Sequence, residues 1–151
     1  MESRQEKARE LFLQGYNCCQ AVVAANADRL GIPFEALMKL ASPFGGGLAR
    51  QREVCGVVTG MCMVYGLLKG SADPADKPEV YRAVRELCRQ FREQTGSIVC
   101  RELLAGVEVA PGPEPEARTP EYYKKRPCPE LCALAQKIID EAIADPQSGT
   151  V

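Results

Sequence analysis

Residues Val54 to Leu68 read VCGVVTGMCMVYGLL, fifteen in a row without a charge. The run falls short of the roughly 18 apolar residues that cross a bilayer, so it reads as a fully buried helix. An uncharged helix belongs at the centre of its fold, with the rest of the chain arranged around it. Gly56 and Gly60 stand four apart on one face of this helix. Each glycine costs about 1 kcal/mol against alanine in a helix interior. The compensating feature is close approach by a neighbouring backbone, either within the chain or across a homodimer contact. Cys55 opens the helix just beyond Phe44-Gly45-Gly46-Gly47, a loop whose glycines can take positive φ.

Elsewhere the apolar spacing is helical. Ala8, Leu11, Phe12 and Tyr16 share a stripe over residues 3 to 14, which Gly15 ends. Asn17 and Gln20 form a capping box for a second helix running to Leu30, stopped by Gly31. Phe34, Leu37, Met38 and Ala41 repeat after Pro33, a good first-turn residue. Asp76 to Glu79 reads as a further capping box, opening a helix striped by Tyr81, Val84, Cys88 and Phe91, which Gly96 breaks. Cys100 to Leu104 is one helical turn or two. Pro111, Pro113, Pro115, Pro120 and Pro127 predict a stretch without regular structure over 106–127. Pro129 then starts a last helix that buries Leu131, Ala135, Ile138, Ile139 and Ala142. No alternating run is long enough for a half-buried strand. The expected fold is all-α: one domain over 1–145, with six or seven helices around a buried central helix at about 54–69, and a polar tail at 146–151.

A net charge of −1 gives no basic footprint, so nucleic acid is a poor partner. The chain opens on polar ESRQEKARE rather than an apolar leader, so no membrane insertion and a cytoplasmic home are expected. Eight cysteines in such a compartment read as ligands, redox groups or buried filler rather than a disulfide scaffold. The chain has no histidine. That removes Cys-His nucleophile pairs, mixed Cys/His zinc sites, imidazole as a base, and the haem attachment motif that ends in His. Chemistry must come from thiols, carboxylates and backbone.

Cys18, Cys55, Cys100 and Cys128 each fall in or beside the first turn of an expected helix. Free N–H groups and the positive end of the dipole favour a thiolate there. Four such ends converging would suit anionic sulfur, free or metal-bound. Cys88 reads as core, and so does Cys62, about 10.5 Å along the helix from Cys55. Cys19 is read as filler. Cys132, one turn after Cys128, is close enough to share a metal or to resolve an oxidised partner. No CxxC pair is present, which disfavours zinc ribbons and thioredoxin-type sites. Arg50 and Arg52, and the run Tyr122-Tyr123-Lys124-Lys125-Arg126, are read as solvated. The alternatives are steadying a thiolate or an anionic substrate for the first pair, and binding an acidic partner for the run.

Taken together, Asn17-Cys18, Phe44 to Gly47, Val54 to Gly60 with Gly66-Leu67, Gly96 to Leu104 and late Cys128 resemble the C_GCAxxG_C_C family, small proteins described as redox-active. The resemblance runs from about residue 10 to 140, with Val57 standing where the family's name has alanine. The family's four cysteines map by motif onto Cys18, Cys55, Cys100 and Cys128. A related domain in split-Soret cytochromes accompanies haem and is associated with an iron–sulfur centre, and some relatives are selenoproteins. The resemblance implies a class of chemistry rather than a substrate, and without a haem motif only its cysteine part carries over.

The leading expectation is an iron–sulfur cluster for electron transfer, held by Cys18, Cys55, Cys100 and Cys128 with Cys132 as a further candidate. Gly45, Gly46, Gly47 and Gly56 would let backbone approach it. The alternative is a metal-free thiol-disulfide oxidoreductase or redox sensor, with Cys18 or Cys55 attacking and another thiol resolving. A structural zinc site ranks third. The partner is then a redox protein or a small thiol.

Overall fold

The structure, a computed structural model, places most helix starts where the sequence does, and side-chain caps at Ser3, Asn17 and Thr119 mark three of them. It describes residues 2–144, so the tail at 146–151 lies outside the described residues. Among these residues there are eight α-helices: α1 (Arg4–Leu13), α2 (Cys18–Ala24), α3 (Phe34–Ala41), α4 (Gly56–Lys69), α5 (Lys77–Thr95), α6 (Cys100–Leu103), α7 (Pro120–Lys125) and α8 (Cys128–Ala144). The fold is all-α. The one β-type pairing among the described residues is an isolated antiparallel bridge between Val54 and Val99. No helix in the described part is long and apolar enough to cross a membrane.

Helices α2, α4 and α8 pack on one another, α1 lies along α8, α3 sits against α2, and α5 crosses α4 and α8. Val22, Val57, Met61, Val64, Phe91, Ile138 and Ile139 fill the space between them and are fully enclosed. The expected close approach at the two glycines is internal. An ideal Cβ on Gly60 would lie 3.0 Å from the carbonyl oxygen of Cys19, so α2 runs directly over the glycine face of α4. The capping box is present: Asn17 Oδ1 accepts from Gln20 N at 2.8 Å, and Gln20 Oε1 accepts from Asn17 N at 3.1 Å.

Several expectations are corrected. The central helix is not buried all round; Gly66 and Leu67 are exposed, and the flank carrying Cys62 and Met63 is only half-covered. Helix α2 stops at Ala24 rather than Leu30, because buried Asn26 turns its side chain onto the helix, with Nδ2 donating to Val22 O at 2.8 Å. That same nitrogen donates to Gln136 Oε1 at 2.6 Å, tying the end of α2 to α8. Asp76 makes no capping box, because its carboxylate accepts from Ser71 Oγ at 2.6 Å instead. Tyr81 is exposed, and the enclosed side of α5 narrows to Leu87 and Phe91. The proline-rich stretch contains a helix after all. Thr119 accepts from Tyr122 N at 3.2 Å and Pro120 occupies the first turn, a good helix start that the neighbouring prolines obscure.

Candidate functional site

The four cysteines at helix starts line one cavity of about 70 Å³, together with Asn17, Gly46 and three arginines, Arg52, Arg118 and Arg126. Cys18, Cys100 and Cys128 are the first residues of α2, α6 and α8, and Cys55 is the N-cap of α4. Their sulfurs therefore approach from four separate segments. Cys55 and Cys100 are brought together by the bridge around Val54 and Val99. Cys55 N donates to Ile98 O at 2.8 Å, and Cys100 N donates to Glu53 O at 2.6 Å. These two amides are thereby used by backbone and are not offered to sulfur.

The glycine loop forms the next wall. From Gly46 to Arg50 every residue has positive φ (64°, 71°, 68°, 49° and 62°), a left-handed turn that three non-glycine residues also adopt, and Arg52 follows at 63°. Such positions cost on the order of 1–3 kcal/mol each for non-glycine residues and persist only where surrounding bonds enforce them. Here Ala49 N, Arg50 N, Arg52 N and Glu53 N donate to Pro43 O, Gly45 O, Gly46 O and Gly47 O at 2.8–3.1 Å. The turn presses against the thiols. A Cβ on Gly47 would lie 2.7 Å from Cys100 Cβ, and one on Gly45 would lie 2.7 Å from Asn17 Cβ.

Cys18 and Cys55 form a hydrogen-bonded thiol pair. The S–H of Cys55 donates to the Cys18 sulfur, which holds Cys18 down at about 6; burial opposes this, and the backbone N–H groups of Gly46 and Cys19 reinforce it. The same bond, with burial, pushes Cys55 well above the ordinary thiol range. Burial likewise raises Cys128 to about 12, with the nearby Cys18 charge adding to it. Burial raises Cys100 too, but Arg52 Nη1 stands 3.8 Å from its sulfur and opposes the shift. One thiolate beside three neutral thiols is the charge state this arrangement favours.

Cys132 lies behind this set, fully enclosed, with its Sγ 4.0 Å from the carbonyl oxygen of Cys18, and burial drives it far above the ordinary range. Cys19 turns the other way, its Sγ 3.9 Å from Met63 Sδ. Cys62 and Cys88 are not enclosed core. Both are partly buried and line the same cleft on the far flank of α4. Among the described residues, no three His, Cys, Asp or Glu side chains are gathered closely enough to hold a single metal ion.

The proline-rich segment supplies two cationic groups, Arg118 and Arg126, the second from the run expected in solvent. Arg126 is buried, ion-paired with Glu116, and its guanidinium sits 4.8 Å from the ring centre of Tyr122. Arg118 donates to Phe12 O at 2.9 Å and Tyr16 O at 3.2 Å while stacking 4.2 Å over the Phe12 ring. Arg50 ties this segment to the glycine loop, donating to Ala110 O and Gly112 O at 2.9 Å and to Glu114 O. The readable signal was the Thr119-Pro120 helix start, which places Arg118 and Arg126 on either side of a short rigid element. Between the two loops lies a second hollow of about 260 Å³, lined in part by Arg50 and Glu116, which shares Asn17, Gly46, Arg52, Arg118 and Arg126 with the cysteine cavity.

A family model described as "Putative redox-active protein (C_GCAxxG_C_C)" matches residues 16–142. No curated protein and no solved structure matches the chain.

Proposed function

The chain belongs to the C_GCAxxG_C_C family of redox-active proteins, and from that premise we propose that it is a thiol-disulfide redox protein in which Cys18 attacks and Cys55 resolves. The observation that carries this reading is that Cys18 and Cys55 line one cavity at two helix starts, where the Cys55 thiol holds Cys18 at about 6. A thiol in that range is substantially thiolate at neutral pH, and the thiolate is the nucleophile. Cys55 stands in contact with it, positioned for the second displacement.

In the forward step the Cys18 thiolate attacks one sulfur of a partner disulfide, forming a mixed disulfide and expelling one thiolate. Cys55 gives up its proton and displaces the second thiolate from Cys18. Two protein thiols are oxidised and one disulfide becomes two thiols; the reverse sequence reduces the protein. Arg50, Arg52, Arg118 and Arg126 around the approach suit a small thiol that carries carboxylates, and would draw its anion towards Cys18.

The experiment is to treat the reduced protein with oxidised glutathione and map its peptides without reduction. The expected result is a Cys18–Cys55 linkage in the native chain and a glutathione adduct on Cys18 in Cys55→Ser. Absence of both sinks the reading.

The second reading is an iron–sulfur centre on Cys18, Cys55, Cys100 and Cys128, favoured by their meeting at one cavity beside backbone amides and arginines. Four thiols are the right donor chemistry. A cluster spreads its thiolates over several irons, so these four, coming from four separate segments, need not gather around one point to hold it. A single zinc ion does need them around one point, and no three such side chains are so gathered among the described residues. Iron, sulfide and zinc analysis with an absorption spectrum, on protein kept free of oxygen, decides between them.

A further inference from the structure

On the flank of α4 away from the four-cysteine cavity lies a cleft of about 470 Å³, within the range of small-molecule pockets. Phe44, Leu48, Val54 and Ile98 are among the side chains that line it, and Cys62 and Cys88 lie in the same wall, one from α4 and one from α5. Glu53 is its single charged lining residue, and that carboxylate is already engaged by Arg101 at 3.3 Å. Leu48 and Val54 remain 41% and 42% exposed, so an apolar surface is left open around two thiols that share one wall. Neither thiol takes part in the chemistry assigned to Cys18 and Cys55.

We propose that Cys62 and Cys88 form a second redox dithiol, and that the cleft above them admits small, uncharged, apolar disulfides. The apolar walls favour such a molecule through the surface it buries, and with Glu53 neutralised by Arg101 they offer an anion no free cation in exchange for its hydration. Cys88 is the attacking group. Cys62 donates its S–H to it, which lowers Cys88 to about 7 against the effect of burial, with the charge of Arg92 one turn on assisting. A thiol in that range exchanges fast near neutrality. The Cys88 thiolate attacks one sulfur of the bound disulfide, forming a mixed disulfide and releasing one thiolate. Cys62 then loses its proton and displaces the other thiolate from Cys88. The protein gains a Cys62–Cys88 disulfide between α4 and α5, and the small disulfide leaves as two thiols. The first site, lined by arginines, suits anionic partners; the second suits neutral ones. Neither assignment depends on the other.

The test uses two probes on the reduced full chain, an uncharged dipyridyl disulfide and a dianionic bis(carboxynitrophenyl) disulfide, with linkages located by non-reducing peptide mass mapping. The uncharged probe is expected to form the Cys62–Cys88 linkage at least about tenfold faster than the dianionic one, the ratio given by a modest difference in binding. Cys62→Ser is expected to accumulate a pyridylthio adduct on Cys88. Leu48→Asp, at the exposed rim, is expected to slow the uncharged probe several-fold while circular dichroism shows the helices intact. No Cys62–Cys88 linkage, equal rates with the two probes, or an undiminished rate in a folded Leu48→Asp protein would overturn the proposal.

Discussion

Gly56 has no side chain because Cys18 occupies the place where one would be. An ideal Cβ at Gly56 would lie 2.5 Å from Cys18 Sγ and 2.6 Å from Phe44 O. The thiol that carries the proposed chemistry is thus seated against bare backbone at the start of α4, with Cys55 next in the chain.

Gly56→Ala therefore displaces Cys18 or the glycine loop. The expected cost is about 1–3 kcal/mol, as for other overpacked sites, read from the denaturant midpoint. The Cys18–Cys55 hydrogen bond should be lost with it, and Cys18 should return towards the ordinary thiol range in a pH titration of its alkylation. A variant of unchanged stability and unchanged titration would show that Cys18 is not held by this contact.

The stability of the protein should carry the signature of the same thiol. Cys18 is held at about 6 in the folded chain, against about 8.5 for a free cysteine. A depressed folded value contributes stability that is complete above the unfolded value and is lost as pH falls through the folded one. Stability should thus rise between about pH 6 and 8.5 from this group. Cys55, Cys100 and Cys128 are raised, so their contribution runs the other way and falls from about pH 8.5 upward. Cys88, lowered to about 7, adds a rise of its own above that pH, so denaturant midpoints should rise across this range for the native chain and lose the part between about pH 6 and 7 in Cys18→Ser.

Arg50 holds the proline-rich segment over the site through three backbone carbonyls. Arg50→Ala should cost no more than about 1.5 kcal/mol, since these bonds are partly exposed to water. It should speed protease cleavage within 106–119 and raise the reactivity of Cys18 at fixed pH. Unchanged cleavage would mean that Arg118 and Arg126 anchor the segment without it.

Much of this arrangement could be read along the chain because its determinants are local. Asn17 with Gln20, Gly96, Pro129 and the uncharged run after Cys55 each act within a turn or two of themselves, and they place four cysteines at four helix starts. What escaped depends on how segments pack rather than on a signal within one turn. Arg126 is buried because Glu116 pairs with it and Tyr122 lies against it. Nothing in the spacing of Tyr122 to Arg126 distinguishes that from a solvated run. Leu48, Ala49 and Arg50 take left-handed backbone inside a turn closed by four backbone hydrogen bonds, each spanning five or six residues, where side-chain type alone predicts ordinary φ. Cys62 and Cys88 lie on helical stripes that read as core. They line a cleft instead because α5 crosses α4 without covering that flank, a matter of how the helices pack rather than of periodicity.

The central claim concerns the ionisation of one sulfur, and the most direct measurement is the rate of Cys18 alkylation by iodoacetamide as a function of pH, followed by peptide mass mapping. The account predicts a midpoint near pH 6 in the native chain and a shift upward in Cys55→Ser, where the donated hydrogen bond is gone. A midpoint at or above about 8.5, the value of an unassisted thiol, would contradict it.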